Sequence, residues 1–526
     1  MSSRILTTKA ASLSLRPRCR GSLPSPSTSA LTRLLSSSTR PIPEATSKRP
    51  TSAPKPIIDI RHIRENPELY AQNCIERNYA KQSTYPNQIR DLFEQWKRLQ
   101  SDSRSLREEA NAAKKALAGL NAAAGKKRGS DGRLTAVAGR GENVAVVDRE
   151  KVLQRARELK VELQGVEEAE AGLVEEMQAL AEAVPNLTSD DTPRGDEPRL
   201  LSYINEAPED FGRGTPGKSH VDIGTELGVL DFAAAANSSG WGWYYLVDGA
   251  AQLEHALTQY ALAVASRHGW RQVSPPTMVY GYVAAACGFQ PRDQNGEQQI
   301  YAIVRDGADV QRGKPELVLA GTSEIALAGM KAETTLCDDA LPLRRVAASR
   351  CYRAEAGARG LDTKGLYRVH EFTKVELFAW THPDQEATED VFDEMLDIQT
   401  EILGSLGLYC RVLEMPSTDL GASATRKCDI EAYFPSRVQR DGGWGEVTSA
   451  SICTDYQTRR LGTRLGTNAG AKVAGFPWTV NGTALAVPRV LAALMENNWD
   501  EKTKSVVIPE CLRPWMDGKE RIEKVE

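Results

Sequence analysis

The chain has 526 residues, and its 66 Lys and Arg against 70 Asp and Glu give a formal net charge of -4. A chain of this length is expected to form two or more domains with a large buried core. The near-neutral charge excludes a uniformly basic nucleic-acid-binding protein, so an RNA site has to be a local basic patch. No run of eighteen apolar residues occurs, so we predict no transmembrane helix and no membrane partner.

The nine cysteines and six histidines do not show the spacing of a metal site or of a disulfide framework. No two cysteines stand in a Cys-x-x-Cys pair, and their odd number also argues against a set of disulfides. We therefore predict neither disulfides nor a structural zinc ion.

The N-terminal stretch contains seven basic residues before the first acidic one, Glu44, and is rich in Ser, Thr, Leu and Pro. This composition is typical of a mitochondrial or chloroplast transit peptide. A disordered tail without a targeting role is the alternative. We predict a mitochondrial leader over residues 1–52, which would direct the chain to the matrix.

Two apolar stripes with steps of three and four residues follow, one from Ile89 to Leu120 and one from Val152 to Val184. Only Ser103 interrupts the first stripe, and only Glu170 interrupts the second. Such stripes indicate two helices packed as an antiparallel coiled coil, the first about 48 Å long at roughly 1.5 Å per residue. The glycine-rich segment between them, Gly119 to Gly141, is predicted to be a flexible tip.

The same arm carries a local basic excess, because eighteen Lys and Arg stand against ten Asp and Glu between Lys81 and Lys160. Such an excess can contact phosphates, and binding of this kind weakens with salt. A solvated helix surface is the alternative interpretation. The segment from Gly212 to Ser219 also matches a P-loop pattern, but it lacks a preceding buried strand and contains Pro216. We predict that this match binds no phosphate.

The stretch from Cys351 to Trp380 reads as a long antiparallel hairpin around a glycine-rich, charged loop. Because side chains alternate along a strand, Arg353 and Glu355 are expected to share one face of the first strand. Five side chains are expected to share one face of the second strand, namely Arg368, His370, Phe372, Lys374 and Glu376. A charged sheet face often meets water. Here, however, an arginine suited to phosphate stands beside an aromatic ring suited to a base, which indicates a nucleotide site.

This hairpin resembles the second signature of the class II aminoacyl-tRNA synthetases in its seryl form. The matching letters are Arg-x-Glu, then Gly-Leu-x-Arg-x-His, then Phe-x-Lys-Val-Glu, over about thirty residues. Further stretches resemble other elements of the same family, namely Ile58–Glu68, Leu253–Met278, Leu319–Glu324, Glu446–Ser449 and Asn481–Glu496. The segment Leu253–Met278 corresponds to the first signature, which forms the dimer interface in that family.

The resemblance implies an α+β fold, in which an antiparallel class II sheet flanked by helices follows a long helical-hairpin arm that binds tRNA. It implies a tRNA-binding domain over residues 57–185, a linker over 186–200 and a catalytic domain over 201–526. It also implies a homodimer that uses ATP, L-serine and tRNA(Ser), with Mg²⁺ as cofactor. The expected reaction is the formation of seryl-adenylate, followed by transfer of the seryl group to the 3′ end of the tRNA.

The resemblance also implies residue roles. The residues expected to be catalytic are Arg353 and Arg489. The residues expected to bind ATP are Arg353, Glu355, Phe372, Glu446, Ser449 and Arg489. The residues expected to bind serine are Thr322, Glu324, Arg353, Glu376 and Thr483. Mg²⁺ binding falls to Glu446 and Ser449, and the candidate tRNA contacts are Lys114, Lys115, Lys126, Lys127 and Arg128.

Three details depend on geometry. Thr322 and Glu324 are expected to share a strand face, whereas Glu446 and Ser449 have opposite parity and need a bend or bulge to serve one site. Pro488 stands where the family usually has glycine, so Arg489 keeps its place only if the helix begins next to it.

Three alternatives to a serine-specific enzyme stay open at this point. They are a catalytically inactive tRNA-binding relative, a synthetase for another small amino acid and a coiled-coil scaffold.

Overall fold

The protein is described here from a computed structural model. It describes residues 53–126, 149–209, 211–212, 214–289, 299–355, 365–466 and 473–524. The predicted leader, most of the arm tip, Lys127, Arg128 and the side chain of Lys126 therefore lie outside the described residues.

The N-terminal part is helical. Its helices are α1 (Ile60–Glu65), α2 (Pro67–Glu76), α3 (Tyr85–Asp102), α4 (Arg104–Lys126) and α5 (Arg149–Ala183). Both α3 and α4 pack against α5, as the two apolar stripes predict. The first stripe is not one helix, however, because it is interrupted at Ser103, whose buried hydroxyl donates to the carbonyl of Gln100 at 3.2 Å.

Glu170, the polar residue in the second apolar stripe, forms an interhelical ion pair. Glu170 of α5 accepts from Arg107 of α4 at 2.6 Å, and the Glu170 side chain is only 14% exposed. A second pair, between Arg155 and Glu109, also joins the two helices, at 2.9 Å. Glu170 stands where the stripe predicts an apolar residue, and its charge is thus paired with Arg107 on the opposing helix.

The C-terminal part is built on a sheet of eight strands within the described residues. In spatial order they are β1 (Arg199–Ile204), β10 (Cys410–Glu414), β11 (Arg426–Tyr433), β12 (Trp444–Thr454), β15 (Trp478–Ala486), β9 (Glu371–Thr381), β8 (Leu343–Tyr352) and β4 (Arg271–Gln272). Every neighbouring pair is antiparallel except β4 and β8, which are parallel. The predicted antiparallel class of sheet is confirmed.

Short strands form four small sheets around the large one in the described part of the chain. They are β2 (Leu230–Asp231) with β3 (Tyr245–Leu246), β5 (Met278–Tyr280) with β6 (Leu317–Leu319), β7 (Thr335–Cys337) with β13 (Arg464–Gly466) and β14 (Val473–Gly475), and β16 (Trp499–Asp500) with β17 (Ser505–Val507) and β18 (Arg521–Ile522). The strand expected before Met278 is thus divided between β4 and β5.

Helices cover both faces of the large sheet. They are α6 (His220–Leu227), α7 (Phe232–Ser238), α8 (Gly249–Arg267), α9 (Gly281–Ala286), α10 (Gly307–Gln311), α11 (Ser323–Gly329), α12 (Gln385–Ser405), α13 (Tyr456–Leu461) and α14 (Val487–Asn497). Alternate residues of β9 belong to different apolar clusters, since Val375 and Leu377 pack with α8, α12 and α14, and Phe378 and Trp380 pack with α9 and α11. Burial on both faces makes β9 a central strand.

Three sequence expectations concern the chain outside the site. At the P-loop match, a helix does follow, since Ser219 caps α6, but between Ile204 and His220 no described residue forms the strand that a P-loop needs, and Lys218 pairs with Glu226. That the match binds no phosphate stays a prediction. The eight cysteines in the described part of the chain are all free thiols. Of the helices that the structure describes, none has the length and apolarity to span a membrane.

The arm is attached to the sheet through partly buried polar contacts at Asn186. Its side-chain amide donates to the carbonyl oxygens of Ser423 and Cys453, both at 2.9 Å, and to the Thr454 hydroxyl at 3.0 Å. The backbone carbonyl of Asn186 accepts from the guanidinium of Arg77 in the arm at 2.6 Å. The first residue of the predicted linker is therefore held firmly, and β1 begins at Arg199, inside the predicted linker range.

We predict that Asn186→Ala destabilises the protein, because it leaves buried carbonyl groups without donors. The expected loss is about 1 to 3 kcal/mol of unfolding free energy, measured as a lower midpoint of urea unfolding. Asn111→Ala, at an exposed position of α4, is the matched control and should cost nothing, because alanine is the better helix former. Equal midpoints for the two variants would contradict this account of the joint.

Candidate active site

Arg353 and Arg489 line one cavity, although 136 positions separate them in the sequence. The cavity is also lined by Phe372, Glu446 and Ser449. The central strands β8, β9, β12 and β15 position these groups at one end of the sheet. The convergence of two guanidinium groups expected from the sequence is therefore present.

Arg353 lies immediately after the end of β8. Its backbone N–H donates to the carbonyl of His370 at 2.9 Å, and its Nε donates to the carbonyl of Gly321 at 3.4 Å. Its guanidinium carbon lies 5.3 Å from the centre of the Phe372 ring. A planar cation and an aromatic ring are therefore side by side on the cavity wall, as a site for phosphate and base requires.

The hairpin is confirmed, but its strands are shorter than expected. They pair from Leu343 with Trp380 to Tyr352 with Glu371, so Arg353 and Glu355 follow β8, and Arg368 and His370 precede β9. Glu355 has a φ of 47°, which is not a strand conformation. The alternation of faces therefore holds for Phe372, Lys374 and Glu376 and does not apply to the residues outside the strands.

Arg489 occupies the first turn of α14, which begins at Val487 with Pro488 next to it. Proline is tolerated there because the first N–H groups of a helix have no partner within the helix. Arg489 donates through Nη1 to the carboxylate of Glu446 at 3.0 Å and through Nε to the carbonyl of Tyr367 at 3.2 Å. The departure from the family's glycine thus leaves the arginine in place.

Glu446 is ionised in this arrangement. Burial alone would raise the pKa of its carboxyl group, but the positive charges of Arg489, Lys427 and Arg353 outweigh burial and hold the pKa below its usual range. These charges therefore favour the carboxylate form of Glu446.

A β-bulge brings Glu446 and Ser449 onto the cavity wall together. In the pairing of β11 with β12, Glu446 stands opposite Glu431 and Thr448 stands opposite Ile430, so Val447 is the extra residue. The extra residue shifts the alternation by one, which reconciles the opposite parity of the two side chains. Both residues line the cavity, as expected from the sequence if the strand contains a bulge.

The oxygen donors on this wall are of the type that Mg²⁺ prefers. Glu446 offers a carboxylate and Ser449 a hydroxyl, and the neighbouring strand carries Asp429, whose buried Oδ1 has no hydrogen-bond partner. No group of three or more His, Cys, Asp and Glu residues suited to a metal occurs in the part of the chain that the structure describes. The donor set therefore suits an ion that takes its remaining ligands from phosphate and water.

The expected strand face for Thr322 and Glu324 is wrong. Both residues lie at the start of α11, where the Thr322 hydroxyl caps the helix by accepting from the N–H of Glu324 at 3.2 Å. A threonine preceding a helical run favours capping over extension. Glu324 is buried and accepts from the Gln457 amide at 2.6 Å. Burial, followed by the charge of Glu376, raises the pKa of Glu324 to about 8.

Glu376 and Thr483 do meet, on neighbouring strands. The Thr483 hydroxyl donates to the Glu376 carboxylate at 3.3 Å, and Lys374 contacts the same carboxylate oxygen at 2.7 Å. Lys374 and Thr483 line the cavity, whereas Glu376, Glu324 and Thr322 are not among its lining residues. The carboxylate of Glu376 therefore does not line the open space itself but contacts Thr483 and Lys374, which do.

Three residues that support the site were not assigned a role from the sequence. Lys374 carries the charge beside Glu376. The ring of Tyr367 lies 4.7 Å from the guanidinium of Arg489. Gln399 of α12 donates at 2.9 Å to the carbonyls of both Ser449 and Thr483. The alternation of the hairpin could have indicated Lys374, but no local pattern marks Gln399.

A buried histidine holds the segment that precedes β9, the second strand of the hairpin. His220 interacts through Nδ1 with Glu496 at 2.7 Å, and its Nε2 accepts from the backbone N–H of Leu366 at 3.0 Å. This network fixes the segment that carries Tyr367 and Arg368 next to the cavity. Gly365 stands against the imidazole ring, which leaves no space for a larger residue.

Two of the predicted tRNA contacts, Lys114 and Lys115, are exposed on α4, and Lys126 is the last residue of that helix. Lys127 and Arg128 lie outside the described residues. Binding of tRNA by these five residues stays a prediction.

Comparison with known proteins gives consistent matches along the chain. A family model described as "Seryl-tRNA synthetase N-terminal domain" matches residues 57–188, and one described as "tRNA synthetase class II core domain (G, H, P, S and T)" matches residues 304–498. The mitochondrial serine--tRNA ligase of Saccharomyces cerevisiae is 44% identical over 346 residues, which are 65% of this chain and 72% of that protein. The mitochondrial enzyme of Schizosaccharomyces pombe is 35% identical over 88% of each chain.

Solved structures also resemble this one. The seryl-tRNA synthetase from Pyrococcus horikoshii complexed with ATP has a TM-score of 0.74 and 30% identity, and the match covers 89% of this chain and 100% of that one. The cytoplasmic serine-tRNA ligase from Naegleria fowleri in complex with AMP has a TM-score of 0.70 and 25% identity, covering 89% and 99%.

We predict that Gly365→Ala displaces the hairpin segment. Its φ is 85°, and an added Cβ would lie 2.2 Å from Nε2 of His220. Gly407→Ala is the matched control, because its φ is 72° but no atom lies within 4 Å of its added Cβ. The control should lose about 1 to 2 kcal/mol of unfolding free energy from the backbone alone. Gly365→Ala should lose clearly more in urea unfolding, and equal losses would contradict the close packing.

Proposed function

Because this chain belongs to the seryl-tRNA synthetase family, we propose that its cavity between Arg353 and Arg489 is the site at which it activates L-serine with ATP. The chain is a serine--tRNA ligase. In the first step, the serine carboxylate attacks the α-phosphorus of ATP, the bond to the β-phosphate oxygen breaks, and pyrophosphate leaves. In the second step, a ribose hydroxyl of the terminal adenosine of tRNA attacks the serine carbonyl, and AMP leaves.

The observation that carries the site assignment is the convergence of Arg353 and Arg489 on one cavity, which Phe372 of β9 also lines. Arg353 would hold the α-phosphate and the serine carboxylate, and Arg489 would bind the γ-phosphate side. Phe372 would stack on adenine, and Glu355 would help to orient the base. No covalent enzyme intermediate is needed, because positioning and charge neutralisation provide the catalysis.

Glu446 and Ser449 would hold Mg²⁺ together with the phosphates. When bound, the ion would neutralise negative charge on the triphosphate. The ionised state of Glu446 supports this assignment, since a carboxylate rather than a carboxylic acid is the ligand that Mg²⁺ takes. The unpaired Oδ1 of Asp429 lies on the adjacent strand and adds a further oxygen donor nearby.

The serine pocket would be formed by Thr322, Glu324, Glu376 and Thr483. Glu324 would accept the α-ammonium group, and Glu376 with Thr483 would hydrogen-bond the side-chain hydroxyl. The 3.3 Å contact between Thr483 and Glu376 supports a shared role. A site built to hydrogen-bond a hydroxyl discriminates strongly against an analogue that lacks it, so alanine would be rejected.

The larger assembly is also part of the proposal. The helical arm, residues 57–185, would bind tRNA(Ser) through Lys114, Lys115 and the basic residues at its tip, and residues 201–526 would form the catalytic domain after a linker over 186–200. Two chains would form a homodimer. The mitochondrial relatives and the basic leader support a location in mitochondria, specifically the matrix.

Serine-dependent exchange of labelled pyrophosphate into ATP by the purified protein tests the proposal. We expect exchange with serine and essentially none with alanine or threonine. No exchange with serine would reject the activating site, and exchange with threonine or alanine alone would reject the specificity.

We predict that Arg353→Ala lowers the rate of pyrophosphate exchange at least about a hundredfold, as loss of a charge-stabilising group in an active site does. Its affinity for tRNA should remain nearly unchanged. Arg350→Ala is the matched control, because Arg350 lies near the end of β8, three residues before Arg353, but pairs with Glu254 at 3.3 Å and does not line the cavity. Similar losses for both arginines would show that the effect is structural.

Removal of the distal arm, residues Ala110 to Val161, should have the opposite effect. We expect exchange to persist, because the cavity is formed by the sheet, and we expect tRNA binding and serylation to be lost. Filter binding of tRNA at several salt concentrations measures the first loss. If the deletion and Arg353→Ala impaired the same step, the assignment of separate roles to arm and cavity would be wrong.

A further inference from the structure

Gln457 is a buried amide that touches the carboxylate of Glu324. It is the second residue of α13 and has no exposed surface. Its Nε2 donates to Oε1 of Glu324 at 2.6 Å, whereas its own Oε1 has no hydrogen-bond partner among the described residues. A buried polar atom without a partner costs free energy, so stability alone does not account for a glutamine here.

The amide is held in place by the helix that carries it. Thr458, the next residue, donates to the carbonyl of Pro477 at 2.8 Å, and Arg460 donates to the carbonyl of Glu182 in α5 at 3.2 Å. These contacts join α13 to the residue before β15 and to the end of α5. The direction of the Gln457 amide toward Glu324 is therefore set by the fold and does not depend on a flexible surface segment.

We propose that Gln457 is a positioning residue for the serine ammonium, because its amide orients the carboxyl group of Glu324. The inference rests on the proposed role of Glu324 in binding serine. A donated N–H group fixes one carboxylate oxygen and leaves the other available to the ammonium group. Gln457 itself does not line the cavity, so it acts through Glu324 and does not contact the phosphates.

The surroundings of Glu324 make this donor important. Negative charge comes from Glu376 on β9, and positive charge comes from Lys374 on β9 and from Arg353 after β8. The thiols of Cys287 and Cys453 also face this region, and burial raises the pKa of both. Burial and Glu376 raise the pKa of Glu324 to about 8, against the lowering influence of Lys374, Gln457 and Arg353. Near neutral pH, the carboxylate form thus depends on these partners.

The sign of the pH dependence follows directly. Serine binding requires the ionised carboxylate, so the KM for serine should fall as the pH rises through the pKa of Glu324. Loss of the Gln457 donor removes one influence that lowers this pKa. The transition should therefore move to higher pH, and binding at neutral pH should weaken.

The test compares the full-length wild type with Gln457→Met, which keeps the length of the side chain but removes the donor. In pyrophosphate exchange at pH 7, we expect the KM for serine to rise about tenfold, the effect of losing a hydrogen bond to a charged group. The midpoint of its pH profile should move up by about one unit. The KM for ATP and kcat at saturating serine should be unchanged.

Gln164→Met is the matched control, because Gln164 donates to a glutamate on the exposed surface of α5, Glu168, at 3.0 Å. It should leave the serine KM and its pH profile unchanged. If Gln457→Met fails to fold, Gln457→Glu keeps the volume and places a second carboxyl beside Glu324. This variant should raise the serine KM and move the pH midpoint upward as well.

The outcomes separate the two proposals. If the wild type shows no serine-dependent exchange, the proposed function fails regardless of Gln457. If the wild type is active and a folded Gln457 variant keeps the wild-type serine KM and pH midpoint, the positioning role is wrong. A variant with equal losses in serine KM, ATP KM and kcat would also overturn it, because that pattern indicates general damage to the site.

Discussion

The ion pair between Arg489 and Glu446 connects the first turn of α14 with the bulged strand β12. Arg489 also donates to the carbonyl of Tyr367, so three distant parts of the sequence meet at one guanidinium group. The pair is partly enclosed by the cavity, where charges interact more strongly than they do in bulk water. This contact holds Arg489 on the wall of the cavity that Arg353 also lines, and the proposed nucleotide site depends on it.

The sheet provides the rigid frame behind this pair. Apolar clusters pack on both faces of β9, which confines the polar side chains to one end of the central strands. Gln399 reaches from α12 to the carbonyls of Ser449 and Thr483 and thereby ties the two strands on either side of the predicted metal and serine positions. Polar groups buried in this way must be satisfied, so they define the register of the site.

Much of the architecture follows from local pattern. The stripes of apolar residues were sufficient to predict the helical arm, because a repeat of three and four residues favours paired helices whatever the rest of the chain does. The spacing within the hairpin likewise indicated the pairing of β8 with β9. Pattern was less informative where single residues compete with the element. It did not predict the helix interruption at Ser103, the capping by Thr322 or the early end of the strands before Arg353.

The sequence by itself determined which chemical groups are available: two arginines, a stacking aromatic ring and several carboxylates in recognisable motifs. Only the tertiary structure decided which of them share a cavity. In the structure, Val447 forms a bulge in β12, and Glu324 lies in a helix beside Gln457. Lys374, which lines the cavity, contacts Glu376. The physical reason is that charge, burial and hydrogen bonding act between segments that are distant along the chain, and no local periodicity records those contacts.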